Sequence, residues 1–426
     1  MKKRLFLCAL TGLIALSVSG QSGTNSPYSQ YGLGVLSDQS QGFNRGMNGV
    51  GLGLRKGNAV NTLNPASYSA VDSLTMMFDV GLSGQITHFK EGGHQLNANN
   101  ADFEYAVGLF RMRKDLGVSF GILPFSNVGY SYSTSRTLPG TTSTMTDTYS
   151  GSGGLHQFFV GAGWRPVKPL SVGFNLAYLW GDLKRSIVSA GSESQVNTLT
   201  KTYNASVSSY KLDFGVQWQQ PLSKTDELTL GATFGLGHKL GADPMCITVN
   251  YDPSTSVSYS DSLYAYDGLE LPMTLGVGLG WNHNQQLFVG ADFSMQKWGS
   301  VVFPSKADNT YSGQKGMLKD SYKVNLGVDY VPGAMSRNFL KRVHYRMGAG
   351  YATPYYKIRG NDGPKELSLS AGFGIPLQNA YNNRSQLNIS AQWVHTSAKD
   401  MITENTFRIN IGLTFNERWF SKWKID

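Results

Sequence analysis

The sequence predicts an all-β fold, a transmembrane antiparallel β-barrel of about 14 strands with an N-terminal plug, or hatch, inside its lumen. Three observations carry this. The segment Phe407 to Asn416 alternates without a break, with Phe407, Ile409, Ile411, Leu413 and Phe415 on one face and Arg408, Asn410, Gly412, Thr414 and Asn416 on the other. A strand has a side-chain period of two, so one face is apolar and the other wet. Further segments repeat the pattern with aromatic residues at the ends of the apolar row, and the chain opens on a secretion signal.

The signal spans residues 1–20. Lys2, Lys3 and Arg4 form its basic start, Leu5 to Val18 its apolar stretch, and Ser17 to Gly20 the small residues before Gln21. The apolar stretch falls short of the ~20 residues a spanning helix needs. Cys8 lies too early in it to be a lipidation cysteine. Cleavage leaves Cys246, which alone can form neither an internal disulfide nor a thiolate zinc cluster, and is expected to be an inert residue near a loop.

Residues 21–73 are rich in Gly and Asn and lack an amphipathic pattern of their own. They contain Tyr31-Gly32-Leu33-Gly34, then Gly46, Gly49, Gly51 and Gly53, then Asn64-Pro65-Ala66. Such a segment is ordered by packing inside something else, so 21–73 is read as the hatch and 74–416 as the barrel, with 417–426 as a tail. Strands are expected at 74–87, 102–113, 116–137, 155–165, 169–187, 206–219, 227–238, 269–281, 286–298, 320–331, 342–353, 365–376, 385–396 and 405–416. Each meets the ~9–11 residues a tilted strand needs to cross a bilayer. Connections after odd strands are long (138–154, 188–205, 239–268, 299–319, 354–364), and several after even strands are short (Lys114-Asp115, Pro166 to Pro169, His283 to Gln285). That alternation belongs to a bacterial outer-membrane barrel, and an even strand number leaves both termini periplasmic.

Two faces can be followed strand by strand. Tyr210, Leu212, Phe214, Val216 and Trp218 share one face of 206–219, and Tyr322, Val324, Leu326, Val328 and Tyr330 one face of 320–331. Aromatic rings at both ends of an apolar row suit the two water–lipid interfaces. The opposite face carries Lys211, Asp213, Asp292, Lys323, Asp329, His344, Arg346 and Arg408. Gly276, Gly278 and Gly280 on one strand, and Gly372 and Gly374 on another, leave the lumen side bare, which marks close approach by another backbone, here the hatch. In 116–137, Pro124 interrupts an apolar run and is followed by Phe125, Asn127 and Gly129. Proline removes a ladder donor, so the pairing must part there, either as a bulge where the strand leaves the membrane or as an opening toward lipid.

The mean hydropathy of -0.24 is what alternating faces average to. Removing Lys2, Lys3 and Arg4 lowers the formal charge from +9 to +6, and no basic run with interleaved aromatics points to nucleic acid. Gly117-Val118-Ser119-Phe120-Gly121 has the spacing of a hydrolase elbow but sits in plain alternation, without the strand-to-helix turn that exposes the serine. The histidines, His156 and His344 among them, form no metal-ligand spacing. No enzyme, cofactor or metal is expected.

The order of features resembles the long-chain fatty acid transporter (FadL) family. The matching pieces are the glycine-rich start, Asn64-Pro65-Ala66 before the first strand, Pro124-Phe125 in the third, Gln296-Lys297-Trp298-Gly299-Ser300 closing the ninth, and Tyr345-Arg346-Met347-Gly348-Ala349-Gly350-Tyr351. The start Thr24-Asn25-Ser26-Pro27-Tyr28-Ser29-Gln30-Tyr31-Gly32 and the end Phe415-Asn416-Glu417-Arg418-Trp419-Phe420 look like a branch found in Bacteroidota. The resemblance implies a fourteen-stranded barrel, a hatch containing Asn64, Pro65 and Ala66, and a third-strand kink at Pro124, Phe125, Asn127 and Gly129. It implies passive uptake of hydrophobic, fatty-acid-like small molecules with lateral exit at that kink into outer-membrane lipid. Arg346 and Arg408 are the candidates to hold a ligand in the lumen. Related barrels also serve as non-transport subunits of larger outer-membrane complexes, in type IX secretion or barrel assembly. That is the alternative function, with other outer-membrane proteins as partners.

Overall fold

The computed structural model describes residues 23–73, 75–193, 195–307, 310–377 and 385–418. The signal and the tail from Trp419 lie outside the described residues. Fourteen antiparallel strands close into a barrel. They are β1 (Thr75–Glu91), β2 (His94–Arg113), β3 (Leu116–Thr137), β4 (Thr144–Val167), β5 (Leu170–Gly191), β6 (Thr198–Pro221) and β7 (Asp226–Gly235). The circuit continues through β8 (Thr274–His283), β9 (Leu287–Gln296), β10 (Ser321–Tyr330), β11 (His344–Ala352), β12 (Lys365–Leu377), β13 (Ser385–Ser397) and β14 (Thr403–Arg418). Neighbours in sequence are neighbours in the wall, and β1 closes on β14 from Thr75↔Arg418 to Lys90↔Thr403. Closure removes the sheet edges that a membrane does not tolerate.

The alternation places side chains as lipid requires. Phe174, Leu176 and Tyr178 of β5, Phe214, Val216 and Trp218 of β6, and Leu275, Val277 and Leu279 of β8 are exposed. Asn175, Gln217, Asp292, Asn325, Asp329 and Asn388 point inward and are buried. The apolar surface thus faces the bilayer, and the lumen carries the polar groups.

Residues 23–73 lie inside this wall. They form a short helix at Gly42–Arg45, a 3-10 turn at Pro65–Ala70 and a two-residue strand, Val35–Leu36. Their apolar side chains join two lumenal clusters: Val60, Tyr68 and Val71 pack against Met77, Val107, Leu109 and Phe159 of the wall, and Phe43, Met47, Val50, Leu54 and Ala59 against Phe288.

Several strands are longer than the sequence suggests. β4 begins at Thr144 rather than 155, β5 runs to Gly191, β6 begins at Thr198 rather than 206, and β2 at His94 rather than 102. Most of the expected loops 138–154 and 188–205 are therefore sheet. Inside 239–268, the strands Met245–Asp252 and Val257–Tyr264 form a hairpin that pairs with β6 through Met245↔Asn204. These extensions stand beyond the lipid-facing rows and pair with one another, so they need no apolar face and show no alternation to read. Cys246 is buried and is the second residue of the Met245–Asp252 strand, next to the loop that precedes it. At the other end β14 continues to Arg418, two residues into the expected tail.

Candidate functional site

Hatch and wall meet backbone to backbone. A Cβ on Gly173 of β5 would stand 2.5 Å from the Pro65 carbonyl carbon, and one on Gly348 of β11 would stand 2.7 Å from the Asn48 nitrogen. Gly117, Gly163, Gly231, Gly280, Gly327 and Gly372 make the same approach to the backbone of Tyr68, Pro65, Leu52, Gly53, Met47 and Gly46, while Gly215 makes room for the Asn64 and Pro65 side chains. Only a residue without a side chain lets two backbones come this close. Gly374, by contrast, faces the Arg346 guanidinium rather than the hatch.

Side chains of the wall satisfy the hatch backbone. Asp292 Oδ2 accepts from the N–H groups of Gly51 (2.6 Å) and Leu52 (2.9 Å). Gln217 Nε2 donates to the carbonyls of Leu52 and Leu54, each at 3.0 Å. Within Asn64-Pro65-Ala66, Asn64 caps the 3-10 turn by accepting from the Ala66 N–H at 3.1 Å. Its amide nitrogen donates to Leu52 O (3.0 Å) and, across to β6, to Val216 O (3.2 Å). Pro65 occupies the first position of the turn, where a missing N–H costs nothing.

Both lumen arginines are engaged with protein groups. Arg346, 2% exposed, donates through Nε to Asp329 Oδ1 (3.0 Å) and through its other nitrogens to Asn388 and Gln386, with its guanidinium 3.9 Å from the Phe43 ring centre. Lys56 of the hatch and His344 share Asp329, at 2.6 and 2.9 Å. Arg408 donates to Gln85 Oε1 at 2.9 Å, and Gln85 in turn donates to Gly23 O at 3.2 Å. Sequence reasoning passed over a third arginine, Arg45, which holds Glu104 at 2.9 Å and Asn410 at 2.9 Å. Desolvation pushes the hatch carboxyl of Asp38 up, but the charges of Arg45 and Lys323 and the bonds from Ser40 outweigh it and hold it at about 2.

Around Pro124 the pairing of β3 changes on both of its sides. The β2–β3 ladder runs from Arg113↔Leu116 to Ala106↔Ile122 and stops there, while β2 continues with β1 and β3 with β4. Between Pro124 and Ser126 the β3–β4 register shifts, so Phe125 is the bulged residue. The hatch takes up the freed edge of β3. Val35 pairs with Asn127 and Leu36 with Ser126. Ser37 N donates to Phe125 O (3.0 Å), Gln39 Nε2 to Pro124 O (2.9 Å), and Gly129 N to Ser29 Oγ (3.1 Å). On the β2 side, Asn25 Nδ2 reaches Asn100 Oδ1 at 2.6 Å. Val35 is 37% exposed, so the hatch itself is part of the protein surface at this point. A two-residue strand leaves no periodic signal, which is why the sequence does not announce it.

The lumen retains a cavity of about 160 Å³ between hatch and wall. Gln39, Thr62, Asn175 and the Lys211–Asp213 ion pair line it together with Leu63, Leu123 and Phe159. At the long-loop end, Tyr31 stacks on Tyr356 and Trp298 packs against Tyr355 at 4.7 Å, closing the top of the hatch. Ser119 is fully buried and donates to Gly108 O at 2.8 Å. Among the described residues no group of three metal-ligating side chains converges.

The same architecture recurs in solved structures. The toluene transporter TodX of P. putida superposes with a TM-score of 0.61 at 14% identity, covering 89% of this chain and 98% of that one. A FadL homologue of Pseudomonas aeruginosa gives 0.61 at 12% identity, with 89% and 99% coverage. The Ralstonia pickettii toluene transporter TbuX gives 0.58 at 14%, with 88% and 98%. At such identities the likeness is one of fold. No curated protein matches the sequence. A family model described as BamG matches residues 1–426, the whole length, and the chain belongs to the BamG family.

Proposed function

We propose that this protein is a non-transport subunit of a larger outer-membrane complex, its barrel serving as a filled and sealed scaffold. The observation that carries this reading is the hatch strand Val35–Leu36, which pairs with β3 where β3 parts from β2, while other hatch residues are bonded into the lumen. An apolar ligand would have to displace those bonds and pass the Lys211–Asp213 pair. Stripping polar groups of their partners inside a protein is costly. Short turns face the periplasm in this reading, and long hairpins stand on the outer side. The 239–268 hairpin supplies contact surface there, since Tyr259, Tyr264 and Tyr266 are 67%, 48% and 77% exposed and tyrosine is enriched at interfaces.

A second reading, passive uptake of hydrophobic compounds with lateral exit, is favoured by the parting of β2 and β3 beyond Ala106 and Ile122 and by the fold shared with toluene transporters. It requires residues 23–39 to leave the seam. Purification in mild detergent at native expression level, followed by mass spectrometry of proteins and lipids, separates the two. Stoichiometric outer-membrane partners that are lost on deletion of 245–264 are expected. A solitary barrel carrying fatty-acid-like molecules would overturn the subunit reading in favour of uptake.

A further inference from the structure

Arg185 differs from the other lumenal arginines. It lies on the extension of β5, opposite Gly151 of β4 and Tyr203 of β6. One guanidinium nitrogen donates to the carbonyl of Gly32 in the hatch. Its Nε is buried without a partner, and no carboxylate pairs with it among the described residues. The side chain adjoins an apolar cluster that includes Leu183 and Leu269. A cation in such surroundings is heavily penalised unless it is paired.

The same arginine lines a cavity of about 30 Å³ beneath the Phe303–Gln314 hairpin. Asn204 lines it too, and its side-chain oxygen is the second buried polar atom there without a partner. Its amide can turn to present either oxygen or NH2. Tyr203 and Tyr311 complete the polar part of the lining. One water needs roughly 10–15 Å³, so this volume takes a halide or a carboxylate group and excludes a phosphate ester or a sugar. A guanidinium with amide and phenol donors around it is a receptor for negative charge.

We propose that this cavity binds a small monovalent anion, a halide or a carboxylate group, with Arg185 as its counter-charge and Asn204 and Tyr311 as neutral donors. The anion arrives either as a free ion or as the carboxylate of a partner side chain inserted from the long-loop end. Because Arg185 also holds Gly32, occupancy ties the upper hatch to β5. The site stands whether the barrel transports or scaffolds.

The test uses the purified full-length barrel in detergent, with its melting temperature followed as sodium bromide or sodium acetate replaces a bulky sulfonate salt at constant ionic strength. A saturable rise is expected, absent in Arg185→Met. Arg185→Lys, which keeps the charge should the Met variant not fold, is expected to need about tenfold more anion. Equal melting temperatures in all three salts, or an undiminished rise in Arg185→Met, would overturn the proposal. The same titration on the intact complex identifies the source. A response that appears only after partners are stripped assigns the charge to a partner carboxylate, and a response in both assigns it to a free ion.

Discussion

Asp329 shows how a single residue is over-determined. Its carboxylate receives Arg346, Lys56 and His344, with Phe43 beneath the guanidinium. Removing the shared carboxylate leaves the Arg346 and Lys56 charges together without compensation. Asp329→Asn is expected to cost ~3–5 kcal/mol of stability, with part of it recovered when Arg346→Met is added. Urea unfolding of the detergent-folded protein would show this, and equal losses in the single and double variants would refute the coupling. Alternation was enough to put Arg346 on the lumen face, but its partner depends on the register Asp329↔Arg346, which composition does not encode. The glycines carry a related prediction. Gly173→Leu would drive a side chain into Pro65, costing ~1–3 kcal/mol by overpacking. Faster protease cleavage within residues 37–60 is the expected sign, and an unchanged digestion pattern would show that the hatch accommodates it.

Among the elements, β3 and the hatch strand decide between scaffold and channel. Paired antiparallel residues lie at Cα separations of ~4.5–5.5 Å, within the reach of a disulfide. Val35→Cys with Asn127→Cys should therefore lock the hatch strand to β3 on oxidation. For a scaffold, the locked protein should support growth and complex assembly as the reduced one does. Loss of function restored by reductant would instead show that the seam must open. Pro124 could be read in the sequence as the point where pairing fails, because proline has no N–H to donate. That Phe125 bulges while β2 departs could not, since both depend on which neighbour each edge keeps. The extensions of β4, β5 and β6 were hidden for a different reason: Thr144 to Gly154 is polar on both faces because neither face meets lipid.

For the molecule as a whole, lipid outside and hatch inside divide the surface of every wall strand, and this division was largely legible. Apolar rows gave the outward face, while bare and charged rows gave the inward one. The long hairpins were legible as solvated polar sequence but not as sheet. The edge strand Val257–Tyr264 pairs on one side with Met245–Asp252 and, among the described residues, pairs with no strand on the other. Replacing Tyr259 and Tyr266 by Ser should leave the barrel's heat resistance unchanged, as expected for exposed side chains, while reducing recovery of partners in quantitative mass spectrometry. Full recovery would remove these rings from the contact surface.

The closing seam has a consequence for biogenesis. β1 follows the hatch directly, and its partner β14 is the last strand, so the pairing Thr75↔Arg418 joins nearly opposite ends of the chain. Contacts of such high contact order form late, after the loop-closure entropy of the whole wall has been met. The hatch meets its glycine grooves on the inner face of the wall, and Gly42 lies against Gly412 of β14, so hatch docking and this final zipper bear on the same strand. Hatch docking and wall closure are thus two ends of one ordered assembly, and a slow hatch would leave β1 and β14 as open edges in the bilayer.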